Sequence, residues 1–368
     1  MTIFLQAARL ALPTLFFGYG VFANLIVFSE KQPAFAMPDD GLLSGGLTVE
    51  LDSLYKKDLP HMDLSFGLIG AARYALLGEA RQGAVVGRDG WLFSTEEVRP
   101  LPSDTELAGI AAVVQDIRAQ LSAGGIDLVV VPLPAKIDIY RDISPDAVFG
   151  ATLQTLYADF SGKLAERGIA VVDARSNLLN PAEPVFFATD THWTPHGAKL
   201  VAEAIATSGI IEPGPLAFER ADEPAKTLTG DLISFVTTTA MAPDIGLSQE
   251  TVTPEVLIAT NAVTDIFGTA ATDVVLVGTS YSANTDWGFA NALMLALGRD
   301  VVSVAEQGLG PLMPMQTYLA SADFRDAPPA VVIWEIPIRY LTDPAIWPIS
   351  AHAAPQIATL PPKENADG

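Results

Sequence analysis

Residues 274–282 read VVLVGTSYS. A short β-branched and apolar run ends abruptly in Gly-Thr-Ser. Such a run predicts a buried strand of a parallel sheet. Its carboxyl end delivers Ser280 to the edge where open α/β sheets hold their ligands. Gly278 permits a sharp turn, so the hydroxyl after it can stand clear of the sheet. A serine there is a nucleophile only if a base reaches it. The chain has four histidines, His61, His192, His196 and His352. His192 lies in Asp190-Thr191-His192-Trp193. Residues two apart in an extended segment point the same way, so Asp190 can orient His192. Ser280 as nucleophile, His192 as base and Asp190 as orienting group make the set that serine acyl transfer requires. Ser282 is the rival nucleophile.

Working outward, further strands are expected at 127–132, 169–173, 301–304 and 330–334. Helices are expected at 105–123, 151–167, 198–207, 287–297 and 315–320. This β-α-β rhythm implies an α/β domain around a mostly parallel sheet. Lys136 and Tyr140 fall just past a strand end, on the functional edge of such a sheet. The strand at 301–304 runs into Gln307-Gly308-Leu309-Gly310-Pro311. Backbone N–H groups at Gly308, at Gly310 and after Ser280, at Tyr281, are candidates for holding an oxyanion, with Arg339 a further one. Asp89-Gly90 between apolar runs signals a β-hairpin. Trp193, Trp287, Trp334 and Tyr340 read more simply as core and rim aromatics than as a sugar-binding groove.

His192 and His196 are four apart, the spacing of a helical zinc pair with Asp190 as third ligand. Thr194 as N-cap and Pro195 as first helical residue place a helix start between them. No metal and no cofactor is therefore expected. His61, beside Pro60, reads as a surface or packing residue.

Residues 1–36 read as a signal peptide or signal anchor. Arg9 is the single charge before an apolar stretch from residue 10 to 28, about the length that crosses a bilayer as a helix. Ala34-Phe35-Ala36 fits a cleavage signal. Either way the following domain is exported. Residues 38–80 look helical, broken at Pro60. The region 212–272, punctuated by prolines, reads as an irregular insertion. Residues 346–368, rich in Pro and Ala, read as a loose tail.

With 368 residues, nearly half apolar, the chain can bury a sizeable core. Its formal net charge of −22 argues against a nucleic-acid partner, which needs a basic face. The absence of cysteine excludes disulfides, thiolate metal sites and a cysteine nucleophile.

GRDGWLF (87–93), VPLPAKIDIY (131–140), DTHWT (190–194), GDL (230–232), GTSYS (278–282), QGLGP (307–311) and WEIPIRYL (334–341) occur in this order. Together they resemble the alginate O-acetyltransferase family of the AlgJ/AlgX type. The resemblance covers roughly residues 40–345, with the length and the leader more similar to the AlgJ type. It implies an SGNH-hydrolase-like three-layer domain over residues 37–345. It further implies Asp190, His192 and Ser280 as triad, with the Asp-x-His pair preceding the serine. The implied activity is transfer of acetyl groups onto hydroxyls of an exported polysaccharide in the periplasm, at the inner membrane. A membrane-bound O-acyltransferase would supply the acetyl group, and other exopolysaccharide export proteins would be partners. Alginate is the prototype acceptor and cellulose a related one. An acetylesterase with the same triad and a non-catalytic polysaccharide-binding component are the alternatives. The acidity fits a polyuronate acceptor only if Lys136, Arg141 and Arg339 gather at the groove or salt screens the field.

Overall fold

The computed structural model describes residues 2–30, 45–247, 249–260 and 273–347. Helix α1 (Thr2–Glu30) carries a window, Ala11–Ser29, long and apolar enough to cross a bilayer. The expected Ala34-Phe35-Ala36 cleavage site lies outside the described residues. Helices α2 (Gly46–Asp58) and α3 (Met62–Leu77) meet at Pro60, as the break there predicts. His61 at that corner hydrogen-bonds Tyr19 of α1, so it is a packing residue.

The remaining elements follow in chain order. Strands β1 (Ala84–Val86) and β2 (Leu92–Ser94) form the hairpin expected at Asp89-Gly90, with Val86 opposite Leu92. Helix α4 (Asp104–Ala123) starts at a capping box, in which Ser103 and Glu106 satisfy each other's backbone amides. Then come β3 (Asp127–Leu133), α5 (Lys136–Ile139) and α6 (Ala147–Glu166). Strand β4 (Ala170–Val171) is shorter than the apolar run around it, and α7 (Arg175–Leu178) follows. Helix α8 (Pro195–Thr207) begins after its N-cap Thr194, which accepts from the Gly197 amide.

The region 212–272 is more regular than its prolines suggest. It holds β5 (Phe218–Asp222), β6 (Lys226–Leu228), β7 (Glu250–Val252) and β8 (Glu255–Ala259). These pair antiparallel as β5 with β8 and β6 with β7. Last come β9 (Val274–Val277), α9 (Ser280–Ala283), α10 (Phe289–Leu297), β10 (Val301–Ser303), α11 (Leu312–Ala320), α12 (Ala322–Asp326) and β11 (Val331–Pro337).

Among the described residues the central sheet has the order β10-β9-β11-β3-β4, all parallel. The period of two along each strand divides the core into two layers. Leu128, Val130, Val275, Val277, Val332, Trp334 and Ile336 face α4, α6 and α11. Val129, Val131, Leu133, Val274, Leu276 and Ile333 face α8 and α10. Both faces are covered, which is why the strands read as continuous apolar runs. The beginning of the expected tail is corrected here. Trp347 is 1% exposed and its ring packs near Trp334, 6.4 Å between centroids. Its indole N–H donates to the Tyr340 carbonyl, so the core extends past residue 345. Residues 348–368 lie outside the described residues.

Candidate active site

Strand β9, an inner strand of the sheet, ends at Val277, and Ser280 opens α9 three residues later. Gly278 is required by a close approach. A Cβ there would stand 2.4 Å from Glu335 Oε2 and 2.9 Å from Ser282 Oγ. Thr279 caps α9, its hydroxyl accepting from the Tyr281 amide. Ser280 and His192 are both half-buried, so the reacting atoms lie at an accessible surface backed by core.

The base comes from a β-like turn before α8. Phe186 bridges Trp193, and the Phe187 amide donates to the His192 carbonyl. His192 Nε2 lies 2.7 Å from Ser280 Oγ, and Nδ1 lies 2.6 Å from Asp190 Oδ1. Asp190 is 3% exposed. Burial alone would raise its carboxyl. The His192 ring, with the His192 and Asp231 amides, holds it instead below the ordinary aspartate value. The imidazole stacks on Trp287 at 5.7 Å and meets the edge of Tyr281 at 5.0 Å. Two bonds tie base turn to nucleophile turn: Trp193 Nε1 donates to the Tyr281 carbonyl and the Tyr281 hydroxyl to the Thr191 carbonyl.

Charged groups from distant segments hold the tip of the base turn. Lys136 Nζ donates to the carbonyls of Leu92 (2.6 Å), Asp190 (2.9 Å) and Ala188 (3.0 Å). Glu250 of β7 accepts from the amides of Ala188 and Thr189. Asp231 accepts from the Thr191 amide and hydroxyl, while its own amide donates to Asp190 Oδ2. Gly230 permits this clasp, since a Cβ there would stand 2.1 Å from the Thr189 carbonyl oxygen. Crowding by protein atoms and the neighbouring Asp190 push the Asp231 carboxyl up.

Two predicted site residues are corrected. Lys136 and Arg339 do not face a groove, being 1% and 4% exposed. Each is turned inward because the core supplies acceptors and counter-charge. Burial pushes the Lys136 amine down to about 8, with Glu97 the first of the carboxylates opposing the shift. At neutral pH it remains an ammonium whose three donors match three carbonyls. Arg339 donates to the hydroxyls of Tyr281 and Tyr340 and pairs with Glu96. Arg141 is held by Asp138 and Gln154. Lys136, Arg141 and Arg339 therefore do not gather at a groove.

The Tyr281 side chain is also buried, and its amide is taken up by the Thr279 hydroxyl and its carbonyl by Trp193 Nε1, so Tyr281 is not placed as an oxyanion donor. Gly308 is exposed with a φ of 77°, in the loop after β10. That loop reaches the serine turn where the Glu306 amide donates to the Gly278 carbonyl. Gly310 is buried, and a Cβ there would press on Ile346 at 2.9 Å. Trp193, Trp287 and Trp334 are buried core aromatics, while Tyr340 is half-buried. Ser282 is 5% exposed and its hydroxyl donates to Glu335, which occupies the rival nucleophile.

His196 falls in the first turn of α8, as the Thr194-Pro195 boundary predicts, away from a helical pair with His192. Among the described residues, the donor atoms that converge within 4.8 Å belong to Asp190, His192 and Asp231. Hydrogen bonds within the protein already engage these carboxylates and Nδ1.

Sequence reasoning missed Glu335, Glu250 and Asp231 as individuals. Asp231 and Glu335 sat inside the quoted segments GDL and WEIPIRYL, and an acid within the apolar run of β11 was a signal. Burial pushes Glu335 up to about 7, against hydrogen bonds from Thr279 and Ser282.

Relatives of the chain share this arrangement of elements. A family model described as an SGNH hydrolase-like domain, acetyltransferase AlgX, matches residues 84–338. The probable alginate O-acetylase AlgJ of Pseudomonas fluorescens is 38% identical over 317 residues, 82% of this chain and 79% of that one. AlgJ of Azotobacter vinelandii, described in the same words, is 35% identical over 364 residues, 93% and 91% of the two chains. The solved O-acetyltransferase domain of Pseudomonas putida AlgJ superposes with a TM-score of 0.62 at 33% identity, covering 71% of this chain and 93% of that one. Pseudomonas aeruginosa AlgX gives a TM-score of 0.56 at 27% identity, covering 71% and 67%. The chain thus has the SGNH-hydrolase-like fold, is an acyltransferase, and belongs to the acetyltransferase family of AlgJ and AlgX.

Proposed function

We propose that the chain transfers acetyl groups through Ser280 onto hydroxyls of an exported polysaccharide, with alginate as the acceptor. The observation that carries this reading is the unbroken hydrogen-bond chain from Asp190 through His192 to Ser280, at 2.6 and 2.7 Å. Ser280 Oγ attacks the acetyl carbonyl of the donor, and its proton passes to His192 Nε2. The tetrahedral intermediate collapses, and the donor's leaving group departs with that proton. A sugar hydroxyl then attacks the acetyl-serine and gives its proton to His192. Collapse expels Ser280 Oγ, which takes the proton back. Asp190, held ionised, keeps Nδ1 protonated so that Nε2 is free to accept.

The backbone N–H groups of Ser280 and, opposite it, Gly308 are the proposed oxyanion donors, since the Tyr281 amide is engaged by the Thr279 hydroxyl. Buried Arg339 and Lys136 are not among them. Alginate as acceptor rests on the names of the AlgJ relatives. A cleft of about 370 Å³ adjoins His192 across Trp287 and is lined by Lys199 and Arg220 among others. Both cations are ion-paired within the same lining, Lys199 with Glu203 at 3.8 Å and Arg220 with Glu255 at 3.7 Å, and Asp286 adds a third carboxylate. The cleft therefore offers no net positive charge to an acidic polymer, and alginate as acceptor rests on the relatives alone. With α1 as leader or anchor, the site works in the periplasm at the inner membrane. It is supplied there by a membrane-bound O-acyltransferase and accompanied by other exopolysaccharide export proteins.

The test uses the full chain in detergent with an artificial acetyl ester and either mannuronate or cello-oligomers. Acetylated mannuronate that disappears in Ser280→Ala and His192→Ala supports the proposal. Acetylated cello-oligomer alone replaces the acceptor. Acetate release without sugar product, even with membranes present, favours an esterase.

A further inference from the structure

We propose that Glu335 is a positioning residue for the nucleophile, fixing the turn that presents Ser280. The proposal rests on the reading of Ser280 as the acetyl carrier. Glu335 is wholly buried in β11, beside β9 in the sheet. Among the described residues no lysine, arginine or histidine forms an ion pair with it. A buried carboxyl that Arg339 offsets only at a distance is costly unless its oxygens are hydrogen-bonded. Here every hydrogen bond goes to the serine turn. Oε2 accepts from the Thr279 amide at 2.8 Å and from Ser282 Oγ at 2.9 Å. Oε1 accepts from the Thr279 hydroxyl at 3.1 Å.

Thr279 immediately precedes the nucleophile and Ser282 follows it by two residues, so one side chain grips the turn on both sides of Ser280. The missing Cβ at Gly278 makes room for that carboxyl. Were β11 there only to pack, an apolar residue would serve, as Val332, Ile333 and Trp334 do in the same strand. The carboxyl touches neither His192 nor Ser280 Oγ in any hydrogen bond, so it acts through the backbone that carries the serine. Its loss is expected to slow acylation of Ser280 while leaving binding of the acetyl donor unchanged. A displacement of the nucleophile of up to about 1 Å is enough to cost about 10- to 100-fold.

The experiment compares wild type, Glu335→Gln, Ser282→Ala and Ser280→Ala as full chains in detergent. It measures the second-order rate of sulfonyl fluoride labelling at Ser280, and kcat and KM for an artificial acetyl ester. Thermal melting accompanies each variant. The proposal predicts that Glu335→Gln melts cooperatively, labels and turns over about 10- to 100-fold more slowly, and keeps its KM. Ser282→Ala, which removes one grip only, should slow labelling by about threefold on the same scale. Wild-type labelling in a folded Glu335→Gln overturns the proposal. If Glu335→Gln does not fold, Ser282→Ala decides alone, and a wild-type rate there overturns it. Unchanged labelling in Ser280→Ala would instead overturn the reading of the nucleophile, so the two failures are distinguishable.

Discussion

The two halves of the site are built in opposite ways. The nucleophile half is a strand that ends in a turn: β9 lies between β10 and β11, and Ser280 follows where the strand stops. Its position follows from local sequence plus one buried carboxyl. The base half is a turn with little core of its own at its tip. Lys136 from α5, Glu250 from β7 and Asp231 from the insertion hold it by charge, each from more than thirty residues away along the chain. A nucleophile on a strand end is rigid because the sheet is rigid. A base on a turn is only as rigid as the groups that clamp it. Substitutions should therefore act locally on the first half and through distant segments on the second.

The largest effect is expected from Ser280→Ala, which should lower transfer by at least about 10³-fold without changing the melting temperature much. Turnover with thermal melting checks it. Asp190→Asn should follow with a loss of about 10³- to 10⁴-fold, because the amide favours the wrong tautomer of His192. Turnover that survives Asp190→Asn would detach the base half from the chemistry.

Lys136→Met should separate the halves most clearly. It leaves three carbonyls without their donor and Glu97 with Arg339 but not Lys136 to offset its charge, at a cost of about 3–5 kcal/mol in denaturant unfolding. Gly278→Ala is expected to cost about 1–3 kcal/mol, since the new methyl meets the pinned Glu335 carboxyl. The last expected effect is a slope. Burial raises Glu335 from 4.5 to about 7, so between these values the folded state binds the extra proton. Its contribution to stability therefore declines as pH rises from 4.5 towards about 7, then levels off. The difference between wild type and Glu335→Gln in unfolding free energy across that range should show this decline.

The same contrast explains what the sequence made legible. The run VVLV closed by Gly-Thr-Ser is a local signal, and the strand and the serine turn fall where it places them. Asp190 and His192 were legible because two-residue spacing is also local, and Thr194-Pro195 marked the start of α8. The clamp was not legible as contacts. Lys136 looked like a surface cation at a strand end, but nothing within its own segment revealed the carbonyls of Leu92, Ala188 and Asp190 around its amine. Arg339 misled for the same reason. Its partners Glu96 and Tyr281 come from segments far away along the chain. The prolines of the insertion hid two short antiparallel ladders, because pairing between β5 and β8 joins residues about forty apart. Trp347 stood in a Pro- and Ala-rich stretch whose composition pointed away from the core it enters.

The central claim is that the acetyl group rests on Ser280 between donor and acceptor. The most direct measurement is peptide mapping by mass spectrometry after the full chain meets an acetyl ester without acceptor and is quenched in acid. The account predicts one acetyl group on the peptide holding Ser280, none in Ser280→Ala, and its discharge when mannuronate oligomers are added. An acetyl group on another residue, or sugar acetylation that continues in Ser280→Ala, would contradict it.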